Sequence, residues 1–166
     1  MNLIKKVRKQ ILQFAFTLNA KIYCKNYKSF KAFGYTRLTK NTFLGNNVNF
    51  NGFKVLGSGK VTIGDNFHSG KGCTIITQVH NYKGNSLPYD NTYIVKDTTI
   101  EENVWFGNNV TVLGGVTIGE GAIIQAGSVV VNNINPLEIA GGHPAKPFSK
   151  RNREHYYKLK SNNKFH

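Results

Sequence analysis

A chain of 166 residues has room for one domain with a real core. Its 40% apolar and 18% charged residues exclude a disordered polyampholyte, and its 17 glycines, which follow no three-residue period, exclude collagen. The net charge of +14 is unevenly spread. Residues 1–40 hold ten basic side chains and no acid, residues 41–145 hold five basic and seven acidic, and residues 146–166 hold seven basic and one acidic. A nearly neutral body with two basic arms argues against a nucleic-acid module, which carries its basic stripe on the folded body. Such arms suit a phosphate-bearing small ligand, an anionic membrane surface or an anionic polymer.

Cys24 and Cys73 are too few for a disulfide scaffold and form no CxxC pair for zinc, so the chain reads as belonging to a reducing, cytoplasmic compartment. The best apolar run, Ile11 to Leu18, is far short of the ~18–20 residues of a membrane span. It also lacks the small-residue cleavage pattern of a signal peptide.

In chain order, the first element is a short amphipathic helix. Ile4, Val7, Ile11, Phe14, Ala15 and Leu18 fall on one face at helical spacing, with Lys5, Lys6 and Lys9 off it. The apolar face is expected to pack on the body or to make peripheral contact with an anionic membrane. A six-residue beat follows, weakly at Leu44 and Phe50, then at Ile63, Ser69 and Ile75, with Phe67, Cys73 and Val79 as partners four residues on. From Ile94 it runs through Ile100, Phe106, Val112, Ile118, Ile124 and Val130, with partners Thr98, Val104, Val110, Val116, Ala122, Ser128 and Ile134. Gly or Asn fills many corners, among them Asn103, Asn109, Gly115, Gly121 and Gly127.

A helix repeats every 3.6 residues, and a simple strand does not insert glycine this regularly. A hexad is one short strand plus a tight corner that tolerates positive φ. Three hexads close a triangular coil of about 18 residues, and stacked coils bury a continuous apolar column. The expected fold is all-β: a left-handed parallel β-helix with short N- and C-terminal helices. The segment Asn81 to Tyr93 breaks the beat and reads as a loop thrown out from one corner. The stretch Phe148 to Lys160 reads as a second basic helix, and Ser161 to His166 as a frayed end. The chain thus divides into a basic helical arm over 1–40, a β-helix over 41–140 with an insertion at 81–93, and a basic loop and helix over 141–166.

The run from Asn103 to Val130, NVWFGNNVTVLGGVTIGEGAIIQAGSVV, resembles the hexapeptide-repeat acyltransferases, and Gly142-His-Pro-Ala-Lys146 is similar to that family's closing Gly-Asn-Pro-Ala-Lys. Within the family the resemblance is to the sugar O-acetyltransferases of the galactoside and maltose type, and to polysaccharide O-acetyltransferases. It implies acetyl-CoA as cosubstrate, no metal, and a homotrimer with sites between subunits. The family's catalytic histidine lies seventeen residues beyond the Ile of an Ile-Gly-Asp-Asn turn; Ile63-Gly-Asp-Asn66 places it at His80. The chemistry agrees, because acetyl transfer to a hydroxyl needs a base near pH 7 and free imidazole titrates at about 6.5. His68 sits at another phase and is the weaker candidate.

The resemblance maps an acceptor-binding Asn onto Asn51, and Trp105, phased outward, is placed to pack on a sugar or on the pantetheine arm. The backbone at Gly107 and Ala126 is expected to meet the pantetheine amides. Where the family often has Thr-Lys after Ser-Val-Val, this chain has Val131-Asn132, so Lys146, Lys150 and Arg151 are the candidates for the nucleotide phosphates. Cys73 falls on an inward position and is expected in the core.

The function this implies is acetyl-CoA-dependent O-acetylation of a sugar, in a bacterial surface polysaccharide or its precursor. The alternatives are N-acetylation of an amino-sugar nucleotide, or O-acetylation of a xenobiotic. A γ-type carbonic anhydrase needs three zinc-binding histidines, and the coils offer only His68 and His80.

Overall fold

The computed structural model describes residues 3–166. Helix α1 (Leu3–Tyr23) leads into the first coil, made of β1 (Asn26–Tyr27), β2 (Phe30–Gly34) and a bridge at Arg37. The second coil holds β3 (Thr42–Leu44) and β4 (Val48–Leu56), and the third holds β5 (Val61–Ile63) and β6 (His68–Ile76). A hairpin of β7 (Gln78–His80) and β8 (Tyr93–Val95) then leaves the stack. The fourth coil is β9 (Thr98–Ile100), β10 (Trp105–Phe106) and β11 (Thr111–Leu113), and the fifth is β12 (Thr117–Ile118), β13 (Ile123–Ile124) and β14 (Val129–Val130). A last partial turn bridges Ile134 to Ile118 and carries β15 (Glu138–Gly141). Strand β16 (Lys146–Lys150) folds back antiparallel on β15, and α2 (Arg153–Ser161) follows.

Three faces result. One stacks β1, β3, β5, β9 and β12 in that order. On the second, His68 of β6 pairs with Trp105, Trp105 with Ile123, and Ile123 with Ile139. On the third, Thr74 pairs with Thr111 and Thr111 with Val129. All these pairings are parallel, and together they form the left-handed β-helix of about six turns that the hexads predict.

The hexad residues line the interior because each inward side chain has another directly above and below it. Ile63, Ile75, Ile100, Phe106, Val112, Ile118, Ile124 and Val130 are all buried, as are Thr98, Val104, Val110, Val116, Ala122, Ser128 and Ile134. Towards the N-terminal end the column is aromatic: Phe30, Phe50, Phe67 and Phe106 succeed one another at centroid separations of 6.1, 5.9 and 5.0 Å. Cys73 is buried there, and burial raises its thiol pKa, so it stays a protonated core residue.

One corner is held by a ladder of side-chain amides. Asn47, Asn66 and Asn103 all have φ between 54° and 59°. Asparagine accepts this left-handed conformation more readily than other side chains. Asn47 Nδ2 donates to Asn66 Oδ1 at 3.0 Å, and Asn66 Nδ2 to Asn103 Oδ1 at 3.0 Å. Asn103 Nδ2 then donates to the Tyr156 hydroxyl of α2 at 2.9 Å. The ladder thus ties the C-terminal helix to the stack.

The structure corrects four expectations. Ile94 and Val79 keep the beat in sequence but stand in the departing hairpin, so Val79 is exposed and Ile94 only half-buried. The first coil starts at Asn26, inside the stretch whose charge marks it as an arm. Residues Phe148 to Lys150 are strand rather than helix, because β15 offers them an edge to pair with. The end of the chain is exposed but tethered rather than frayed: Asn47 Nδ2 donates to the His166 carbonyl at 2.9 Å.

Helix α1 also docks by an unexpected face. Thr17 Oγ1 accepts the backbone N–H of Ala32 at 2.9 Å, and Ala20 is buried against the first coil. In a parallel β-helix the strand N–H and C=O groups point along the axis, so this bond closes the open end of the stack. The apolar stripe with Val7, Ile11, Phe14, Ala15 and Leu18 points away from the body.

Candidate active site

His80 is the last residue of β7, and its ring is exposed at the root of the inserted loop. Two loop aromatics hold it. Tyr89 stacks on the imidazole at 3.9 Å between centroids, and Tyr93 leans on it at 4.9 Å. The loop itself is ordered by Asp90, whose carboxylate accepts bonds from the Thr92 and Asn85 backbone N–H groups and from the Thr92 hydroxyl. Those bonds hold the Asp90 carboxyl below its usual pKa.

Trp105 stands on the second face, half exposed, between two recesses. On one side is a groove of about 390 Å³ that includes Phe106, Gly107, Ile123, Ala126 and Phe148. Gly107 comes so near the next coil that a Cβ there would lie 2.5 Å from the Ala126 nitrogen. An apolar groove with a bare glycine edge fits an extended aliphatic amide chain, whose polar groups need close backbone approach.

On the other side of Trp105 is a recess of about 320 Å³ beneath α2, which includes His68, Arg151, Tyr156, Phe165 and His166. His68 is half-buried; a ring nitrogen pairs with Asn49 Nδ2 at 3.1 Å, and the His166 ring lies at 5.2 Å. Burial, then the charge of His166, lowers its pKa. Lys160 Nζ meets Glu102 and Glu120, each at 2.7 Å, and these bonds raise its pKa. The Tyr156 hydroxyl donates to Glu120 at 2.9 Å, and burial leads the rise in its pKa.

The candidate residues thus fall into separate places. Trp105, Gly107 and Ala126 share one groove. Arg151 turns into the recess with His68, where its Nε is buried without a hydrogen-bond partner. Lys150 lies 3.7 Å from Glu138, and Lys146 is exposed at the start of β16. Asn51 lies in a third depression with Tyr35, Lys54 and Lys71, its amide donating to the Ser69 carbonyl at 3.3 Å. His80 lines none of these three recesses. Among the described residues no group of three His, Cys, Asp or Glu side chains is placed to hold a metal ion.

Three contributors escaped the sequence reading: Tyr89 and Tyr93 around His80, and Phe148 on the groove. The first two carry a legible signal, since the inserted segment is unusually rich in tyrosine for a solvent loop. Phe148 carries none, because its position depends on β16 folding back.

The family described as bacterial transferase hexapeptide (six repeats) matches residues 97–132, the fourth and fifth coils. A Schizosaccharomyces pombe protein named for an acetyltransferase is 40% identical over 96 residues, which is 57% of this chain and 45% of that protein. The chain thus covers less than half the length of that curated relative. Among solved structures, a galactoside acetyltransferase in complex with coenzyme A superposes with a TM-score of 0.70 and 25% identity, over 92% of this chain and 83% of that one. A Vibrio cholerae hexapeptide-repeat acetyltransferase complexed with acetyl-coenzyme A superposes with a TM-score of 0.63 and 28% identity, over 86% and 80%. In repeat, corner and fold alike, the chain is similar to the hexapeptide-repeat acetyltransferases of left-handed β-helix fold.

Proposed function

We propose that the chain is an acetyl-CoA-dependent O-acetyltransferase that acts on a sugar hydroxyl of a bacterial surface polysaccharide or its precursor, in the cytoplasm. The observation that carries this reading is the exposed His80 imidazole, held by Tyr89 at the mouth of the inserted loop. A histidine in the open, with its plane fixed, suits a base that must meet an incoming hydroxyl.

Acetyl-CoA supplies the activated acetyl thioester. The groove of Trp105, Gly107 and Ala126 holds its pantetheine arm, with backbone amides at the glycine edge as partners. Lys146, Lys150 and Arg151 are the cations near that end of the stack, and Lys146 is the one of the three turned to solvent without an ion pair. His80 takes the proton from the sugar hydroxyl, the oxygen attacks the thioester carbonyl, and the proton passes on to the departing thiolate. Asn51 orients the acceptor through its amide.

His80 and the groove do not meet within one chain, so the proposal includes a homotrimer in which His80 of one chain serves the groove of its neighbour. Light scattering should then give a mass three times 18.6 kDa. An acceptor screen with acetyl-CoA and free-thiol detection tests the activity. His80→Ala should lower turnover by roughly 10²–10⁴-fold while leaving acetyl-CoA binding near normal. Near-normal turnover in that variant, or a fully active monomer, would remove the reading.

A further inference from the structure

Helix α1 is docked by one side only. Its inner side seats Phe16, Thr17 and Ala20 on the first coil. About half a helical turn away in azimuth lie Val7, Ile11, Phe14, Leu18 and Ile22, all exposed. Phe14 and Ile11 keep 70% and 63% of their surface, far more than large apolar side chains keep on an ordinary helix that packs by its apolar stripe. Folding the chain does not cover this stripe.

The charge on the rest of the helix says what covers it. The helix carries Lys5, Lys6, Arg8, Lys9 and Lys21 and no acidic residue, and neither does the rest of the chain up to residue 40. Cations in the first turns also sit at the positive end of the helix dipole, where they cost the isolated helix a little stability. An external anionic surface would offset that cost. A protein partner would have to supply both an apolar trough and a dense acidic rim. The body of this chain, residues 41–145, is nearly neutral and offers a second copy no such rim.

We propose that the outer face of α1 docks on an anionic phospholipid surface, with Val7, Ile11, Phe14, Leu18 and Ile22 sunk into the interface and Lys5, Lys6, Arg8 and Lys9 on the polar side of the helix attracted by the headgroup charge. Because α1 closes the open end of the stack, its outer face points along the prism axis. The β-helix then stands end-on on the membrane, and its three faces remain free. This docking requires no catalytic residue and stands apart from the reading of His80.

The test is flotation of the full chain with vesicles of phosphatidylcholine alone, and with vesicles that also contain phosphatidylglycerol. The wild type should float with the anionic vesicles at low salt and be released at ~1 M salt, where screening acts within about 3 Å. Ile11→Glu/Phe14→Glu should weaken this binding at least tenfold. Lys5→Glu/Lys9→Glu should weaken it by a similar factor, because surface attraction scales with each basic side chain. These positions are all exposed, so circular dichroism should be unchanged in both variants. Equal binding to both vesicle types, or full binding by the Ile11/Phe14 variant, would overturn the proposal. So would a wild-type assembly that the same variant disperses in the absence of vesicles, since the stripe would then be an interface between copies.

Discussion

The Tyr89 ring lies nearly parallel to the imidazole of His80, with 15° between their planes. Tyr89 comes from the inserted loop and His80 from the end of β7, so the loop's own fold sets the direction in which the imidazole points. Tyr89→Ala should lower kcat by roughly 10–100-fold, since a misplacement on the order of 1 Å costs up to about 10²-fold. KM for acetyl-CoA should stay within about twofold, and Tyr89→Phe should restore kcat, because stacking needs the ring and not the hydroxyl. An equal loss in the Phe variant would mean that the hydroxyl acts directly.

Gly107 tests how tightly the coils approach at the groove. A Cβ there meets the Ala126 nitrogen at 2.5 Å and its Cα at 2.8 Å, and backbone cannot swing aside as a side chain can. Gly107→Ala should destabilise the fold by about 1–3 kcal/mol, as overpacking does, and should weaken acetyl-CoA binding. Thermal unfolding and a CoA titration read the two effects separately. An unchanged melting temperature would show that the coils can part here without cost.

Phe67 is fully buried, edge-on to Phe106 at 5.0 Å and tilted on Phe50 at 5.9 Å. Removing it opens a void between coils that cannot collapse, because the strands above and below are hydrogen-bonded to one another. Phe67→Ala should cost about 3–5 kcal/mol in a urea titration. A loss below ~1 kcal/mol would mean that the aromatic column is not a continuous support.

His68 should make the protein acid-sensitive. Burial lowers its folded pKa below the ordinary 6.5. As the pH falls below that ordinary value, the unfolded chain takes up a proton before the folded chain does, so stability declines with acid. Above it both forms are neutral and the stability is complete. His68→Gln should flatten the decline in melting temperature below pH 6.5 while leaving turnover within a few-fold. A decline as steep as in the wild type would place the acid sensitivity elsewhere.

The coils were legible because their grammar is local: six residues make one side of a triangle, and the inward residue announces itself by size. The burial of Ile100 through Val130 follows directly. Corners were legible for the same reason, since Asn103 and Gly121 mark positive φ on their own. The hairpin at Val79 and Ile94 was misread because both residues keep the beat, and nothing in their side chains reports that the backbone has left the stack. Helix α1 defeated the apolar-stripe rule. The stripe marks an amphipathic helix, but the helix packs by its other side and leaves the stripe exposed. Of the site, His80 and Trp105 could be picked out, whereas the turning of Arg151 into the recess beneath α2 depends on how α2 docks on Asn103 and Glu120.

The insertion between Thr77 and Lys96 is closed at its base by the bond from the Lys96 N–H to the Thr77 carbonyl at 2.9 Å, and next to it by the pairing of β7 with β8. Below and above that clasp the stacking of His68 under Trp105 proceeds as though the intervening residues were missing. The loop is therefore a side branch rather than a link. Its two strands pair with each other, and Gln78 also holds Ser58 of the second coil. Under the proposed function, this segment is where acceptor preference can diverge while the groove of Trp105, Gly107 and Ala126 stays as it is.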